Sequence, residues 1–329
     1  MSSTSRTKAA LSFPLGYVAR VLTTCLLLGL VLYLIDFETA LGQARSANPW
    51  LLVLAVAILL CRAPFMLLRW QAILLRLGGR LDWRHGIYVV LISAFFGQFS
   101  PSGIGNDVSR GILAAGGNEP AAIVASLFAD RIFGLVSSIL LAAPPALIVV
   151  LSGGAFLPSA LAWFVLVLLA AIVVLWVLLG RTERQDRQQA VSMSRAKRFL
   201  NLSRESMRMC LSAIGDFRLA AVALGWSLVI QAMAIASVVV AGLALGIDVP
   251  IWAYFLLVPI VWLATSVPVS LGGIGVREVS LVALLPGFGA DATEALTFGV
   301  LLSVVSIIAA VVGALLAKLA QPMLLPAAR

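Results

Sequence analysis

The chain has 329 residues, of which 62% are hydrophobic and 11% charged, with a net charge of +9 and a mean hydropathy of +1.08. Soluble domains run at about 45–50% apolar and about 25% charged residues, so composition excludes a water-soluble globule and makes lipid the solvent for most of the length. The excess of bases falls mainly in two loops, a positive-inside pattern rather than a nucleic-acid-binding surface.

In hydrocarbon every backbone N–H and C=O must be satisfied within the protein, which leaves helix bundles or closed barrels. The apolar runs here are about 20 residues long and do not alternate, as helical spans require and barrel strands do not. The expected fold is an all-α polytopic membrane protein with a single transmembrane domain over 15–320, flanked by a cytoplasmic tail over 1–14 and a C-terminal tail over 321–329. In chain order its eight apolar segments fall near 15–36, 49–68, 86–100, 121–151, 157–180, 218–246, 251–271 and 295–320. The first is longer than the apolar core of a signal peptide and reads as an uncleaved helix. Trp50, Trp70, Trp83 and Trp252 fall near segment ends, where aromatic belts lie.

Arg69, Arg76, Arg80 and Arg84 against Asp82 form a first basic loop. Between Arg181 and Arg218 nine bases stand against four acids, which makes 181–217 a basic cytoplasmic linker. Within it, 194–214 has the apolar spacing of a surface helix, with a solvated linker as the alternative. If both basic regions face the cytoplasm, one of the three apolar segments between them does not cross. Segment 86–100 is the shortest: at about 1.5 Å per residue it falls short of about 30 Å of hydrocarbon. It runs into the helix-breaking stretch from Ser100 to Asp107 and predicts a re-entrant hairpin that returns by about Asn118.

The second half repeats the pattern. Gly103-Ile104-Gly105 is followed by Asp107, Val108 and Ser109; 170 positions on, Gly273-Ile274-Gly275 is followed by Glu278, Val279 and Ser280. Segment 49–68 then pairs with 218–246, 121–151 with 295–320, and 15–36 with 157–180, dividing the domain into halves 15–151 and 157–320. Counting crossings gives the halves opposite orientation, an inverted-repeat bundle with two broken or re-entrant hairpins. The alternative is that both G-I-G runs are loops between eight spanning helices, and the length of 251–271 favours it.

Charged groups at membrane depth cost about 2.5–3.5 kcal/mol each at a helix centre, so they are kept where they pair or line a path. Asp107, Arg110, Asp130, Arg131, Arg277 and Glu278 are the set, three acids and three bases. Neighbours on a helix point about 100° apart, so Asp130 and Arg131 need separate partners: Arg110 or Arg277 for Asp130, and Asp107 or Glu278 for Arg131. A purely structural ion-pair network and a head-group site both fit this reading. Gly103, Gly105, Gly273 and Gly275 place helix N-termini inside the membrane, where free N–H groups bind anions; small-residue helix packing is the alternative, and Asn106 is a polar group at the same depth. Arg62, beside Pro64, reads as a snorkelling or kink residue, and Gln98 and Gln231 are further polar groups at depth.

Cys25, Cys61 and Cys210 form no metal-binding pair, His85 stands alone, and no phosphate-binding or hydrolase motif is present. No cofactor, metal or catalytic set is expected.

The runs F-S-P-S-G-I-G-N-D-V-S-R-G, A-S-L-F-A-D-R-I-F-G-L and V-P-V-S-L-G-G-I-G-V-R-E stand in an order and spacing that resembles the lysylphosphatidylglycerol synthase transmembrane family, also called flippase-like, over about residues 15–320. The resemblance implies a bacterial inner-membrane protein, with both termini cytoplasmic by the count of crossings, that translocates or helps modify a lipid. It implies a membrane lipid as substrate, lipid- or hopanoid-biosynthesis enzymes as partners and no nucleic acid. By motif it carries the glycines and charged residues named above as positions to test. The full synthases also have a C-terminal aminoacyl-transfer domain, which this sequence does not contain, so lysyl transfer is not expected. A lipid translocator for an anionic or phosphate-bearing head group is the leading expectation. A membrane-embedded transferase or hydrolase, with Asp107, Asp130 or Glu278 as base, and a non-catalytic membrane partner are the alternatives.

Overall fold

The structure, a computed structural model, describes Gly42 and residues 45–100, 103–153, 156–182, 195–267 and 269–321. The expected tail at 1–14, the first apolar segment at 15–36, linker residues 183–194 and the tail beyond 321 lie outside the described residues. Among the described residues every regular element is helical, and four helices are long and apolar enough to cross a membrane.

Helices α1 (Pro49–Cys61) and α2 (Ala63–Arg76) form one 28-residue apolar rod interrupted at Arg62, just before Pro64. It starts where the Asn48 side chain accepts from the Trp50 N–H at 3.0 Å, with Pro49 in the first turn. The sequence expectation ended this span at 68 and put Arg69 in a basic loop. Arg69 is instead inside α2 and 6% exposed, because a carboxylate from a distant helix meets it there. Trp70 is likewise no belt residue: it is fully buried and donates to Ser126 Oγ at 3.0 Å, while Trp50, Trp83 and Trp252 remain exposed.

Helices α3 (Trp83–Gln98) and α4 (Ile104–Leu113) form the first helix pair around the first G-I-G run. The long helix α5 (Pro120–Leu151) follows, then α6 (Phe156–Thr182) and α7 (Arg195–Gly215). Far from being a solvated linker, α7 packs on α5 and on α8, burying Cys210, Ala213 and Ile214 against alanines of both. Helix α8 (Phe217–Leu245) is capped by Asp216 and stopped by Gly246 in the left-handed region. Helices α9 (Ile251–Thr265) and α10 (Val276–Leu284) form the second pair, and α11 (Ala292–Leu319) opens on a capping box between Asp291 and Glu294.

The segment expected at 251–271 therefore stops at Thr265, where the Thr265 and Ser266 hydroxyls turn back onto the Trp262 carbonyl. At about 1.5 Å per residue, α9 reaches about 22 Å and α3 about 24 Å, both short of about 30 Å of hydrocarbon. The length objection to a second broken helix disappears. The two turns touch: the Gly272 N–H donates to the Ser100 carbonyl at 3.0 Å. Gly272 has φ +59°, and a Cβ there would lie 2.1 Å from the Gln98 carbonyl oxygen, so only glycine allows this approach.

Packing is reciprocal between the two halves. Helix α3 lies on α11 and α9 lies on α5; α2 contacts α3 and α8 contacts α9; α1 and α2 run against α8. Alanines with no exposed surface, among them Ala55, Ala142, Ala253 and Ala295, let these helices approach closely. Large apolar side chains such as Trp50, Ile148, Leu151, Trp163 and Val167 point outward, as hydrocarbon rather than water demands. Hydroxyls inside the spans bond back to carbonyls one turn earlier, as Ser126, Ser137 and Thr297 do.

Candidate functional site

Helix α5 carries a polar stripe at four-residue spacing: Ser126, Asp130, Gly134 and Ser138 share one face. That face looks onto α2 and α8. Asp130, 4% exposed, accepts from Arg69 Nε at 2.7 Å, Arg69 Nη2 at 2.9 Å and Arg110 Nη1 at 2.9 Å. The remaining Arg69 nitrogen donates to Ser227 Oγ of α8 at 3.0 Å. A Cβ at Gly134 would lie 3.5 Å from Arg69 Nη1, an ordinary packing contact. One turn on, Gln231 of α8 donates to the Gly134 carbonyl at 3.0 Å and to Ser138 Oγ at 2.6 Å. A carboxylate in so dry a place is tolerable because both oxygens are met by charged, forked donors.

This network forms one wall of a cavity of about 560 Å³ between the two helix pairs. Gly103, Asn106, Asp107, Arg110, Asp130, Arg131 and Arg277, all singled out in the sequence, line it together. Arg131 pairs with Asp107 across α5 and α4, with both side chains partly exposed to the cavity. Of the partners open to Asp130 and Arg131, the near ones, Arg110 and Asp107, are taken. Arg277 bonds instead to Ser303 Oγ at 3.3 Å and Ser306 Oγ at 3.4 Å on α11.

The other sequence candidates do structural work. Glu278 is 1% exposed and caps its own helix, accepting from the Gly275 N–H and from Ser303 Oγ, each at 2.6 Å. Gly105 sits where a Cβ would be 2.6 Å from the Phe96 carbonyl oxygen, and its N–H donates to Ser100 Oγ. Gly273 presses on Thr265 in the same way. Four N–H groups at the two helix N-termini are engaged within the fold. The Gly105 and Gly275 N–H groups are taken by side chains, and those of Asn106 and Arg277 by the Gly103 and Gly273 carbonyls. The cationic groups of the cavity are its arginines.

Two of them were not among the sequence candidates for the site: Arg62, read as a snorkelling or kink residue of the second span, and Arg69, read as a loop base; both line the cavity. Their seven-residue spacing, two helical turns, places them on one face of the kinked rod, a signal that the sequence does carry. With them the cavity holds five arginines against two aspartates rather than the balanced set expected. Several of its buried polar atoms have no partner: Arg62 Nε, Arg110 Nε and Nη2, Gln98 Nε2 and Asn106 Oδ1. The Arg110 guanidinium, 1% exposed, lies 4.5 Å from the centre of the Trp70 ring, which stabilises a cation but satisfies no N–H.

A bundle with an apolar exterior, four spanning helices among the described residues and a charged interior cavity is a multi-pass membrane protein. The chain belongs to the lysylphosphatidylglycerol synthase transmembrane-region family, which matches residues 17–313. That membership suggests a membrane protein of lipid metabolism or transport. A search of curated proteins finds no match to the chain.

Proposed function

We propose that the protein is a lipid translocator that takes the head group of an anionic, phosphate-bearing lipid into the cavity between α3/α4 and α9/α10. The observation that carries this reading is the charge of the cavity: five arginines against two aspartates, at a depth where water does not compensate the difference. Arginine forks suit phosphate oxygens in number and geometry. Transport is favoured over chemistry because two of the three carboxylates have both oxygens engaged: Asp130 by Arg69 and Arg110, and Glu278 by the Gly275 N–H and Ser303. A general base needs a free lone pair aimed at the substrate.

The two helix pairs are read as re-entrant hairpins in an inverted repeat. Three features support this: first helices too short to span, the reciprocal packing of each hairpin on the last helix of the other half, and turns that meet through Gly272 and Ser100. Such an arrangement gives access to one cavity from either face in turn. The protein acts in the bacterial inner membrane with both termini cytoplasmic.

The test is reconstitution of the pure protein in vesicles with acyl-chain-labelled phosphatidylglycerol and phosphatidic acid, following the label's exposure to an impermeant quencher. Faster transbilayer movement, lost in Arg110→Gln, is the expected result. Movement no faster than in protein-free vesicles for every anionic head group removes the proposal.

A further inference from the structure

The charges of the cavity can be added group by group. Arg131 and Asp107 cancel. Arg277 and Glu278 are joined through Ser303 Oγ, which accepts from Arg277 Nη1 at 3.3 Å and donates to Glu278 Oε1 at 2.6 Å, and they count as one pair of opposite charges. Asp130 is shared by Arg69 and Arg110, which leaves one positive charge there. Arg69 has filled its fork on Asp130 and Ser227, so the surplus resides on Arg110. Arg62 has no carboxylate in contact among the described residues and supplies a second surplus charge. Among the arginines, the unpartnered N–H groups fall on these same two residues: Arg62 Nε, and Arg110 Nε and Nη2. Charge counting and hydrogen-bond counting, made independently, point to the same pair of side chains.

We infer that the preferred guest is a lipid whose head group carries two negative charges on one phosphoryl cluster, a phosphate monoester or a diphosphate, received between Arg62 and Arg110. This rests on the cavity being the lipid site. A phosphodiester carries one negative charge and leaves one of the two arginines uncompensated in a low-dielectric setting, where an unpaired charge is costly. A dianion offers three terminal oxygens and neutralises both. Gln98 Nε2, also without a partner and on the same wall, adds a neutral donor for the third oxygen.

The experiment compares dioctanoyl phosphatidic acid with dioctanoyl phosphatidylglycerol, which share their tails, by calorimetric titration of the detergent-solubilised full chain at pH 8 and pH 5. The monoester loses its second proton near pH ~6, so it is a dianion at pH 8 and a monoanion at pH 5. At pH 8 the monoester should bind at least about tenfold more tightly than the diester, the margin of one extra charge-assisted contact. At pH 5 the two should bind alike. Arg62→Gln should abolish the preference at pH 8, so that monoester and diester bind alike, since only Arg110 then carries a surplus charge. Equal affinities at pH 8, a preference that survives at pH 5, or a preference that survives Arg62→Gln each overturn the inference and leave the anionic-lipid reading standing. Binding of neither lipid overturns both.

Discussion

Replacing Asp130 by asparagine is the sharpest test of how this fold carries charge inside a membrane. The side chain keeps its shape, but one oxygen becomes an amide that faces guanidinium N–H groups, donor against donor. Three charge-assisted hydrogen bonds, at 2.7, 2.9 and 2.9 Å, are lost or weakened, and Arg69 and Arg110 are left as two buried cations with no anion between them. Removing one partner of a buried pair costs about 3–5 kcal/mol, a large share of a total stability of about 5–15 kcal/mol. Arg131→Gln is the internal comparison: its side chain is 42% exposed and its pair with Asp107 is open to the cavity, so the loss should be at most about 1 kcal/mol. Adding Arg69→Met to Asp130→Asn removes one stranded cation and should recover about 0.5–3 kcal/mol as a coupling energy. These variants, with wild type and the Arg69→Met single variant that completes the cycle, can be unfolded by sodium dodecyl sulfate titration in mixed micelles, read by far-ultraviolet circular dichroism. If Asp130→Asn lies within about 1 kcal/mol of wild type, or shows no coupling to Arg69, the ion cluster is not what holds α2, α4 and α5 together.

Three further outcomes follow from other parts of the molecule. Gly272→Ala puts a methyl 2.1 Å from the Gln98 carbonyl oxygen, whereas Gly153→Ala, at a similar φ of +65°, meets nothing within 4 Å. Both should pay about 1–2 kcal/mol for the left-handed backbone, and Gly272→Ala about 1–3 kcal/mol more for the clash; equal losses in the same unfolding assay would mean the two turns do not touch. Outside the membrane, hydrogen bonds from Arg76 first, and then from the Leu219 N–H, hold the Asp216 carboxyl below the usual carboxylate range. A lowered folded-state value stabilises above the unfolded value of about 3.9 and is lost as pH falls through the folded value. Wild type should therefore melt above Asp216→Asn at pH 7 and converge with it as acid protonates the folded carboxyl; a gap that stays unchanged down the acid series refutes the pairing. Single cysteines at positions 109 and 280, replacing Ser109 and Ser280 on a cysteine-free background, should react with an impermeant maleimide from opposite faces of oriented vesicles. Labelling from the same face excludes the inverted repeat.

Much of the architecture was legible because hydropathy is a local property. A run of apolar residues must be helical in lipid wherever it packs, so α3, α5, α8 and α11 were found within a few residues of their ends. The paired G-I-G runs showed where the chain breaks, because a proline- and glycine-rich stretch after a short apolar run cannot continue a helix. Pairing is not local. Arg69 looks like a loop base until Asp130, 61 residues away, is brought against it, and the helix then continues to Arg76. Trp70 looks like a belt residue until Arg110 lies over its ring.

Sequence alone determined that this chain lives in lipid as helices, where it breaks, and which ionised residues it carries into hydrocarbon. Tertiary structure decided which of them cancel. Asp130 took Arg69 and Arg110, Glu278 turned back to cap its own helix, and the turn N–H groups were consumed within the fold. The physical reason is that the cost of a buried charge depends on what lies within a few ångströms of it, and only the packed bundle sets that distance. What remains uncancelled, on Arg62 and Arg110, is the feature that asks for a ligand.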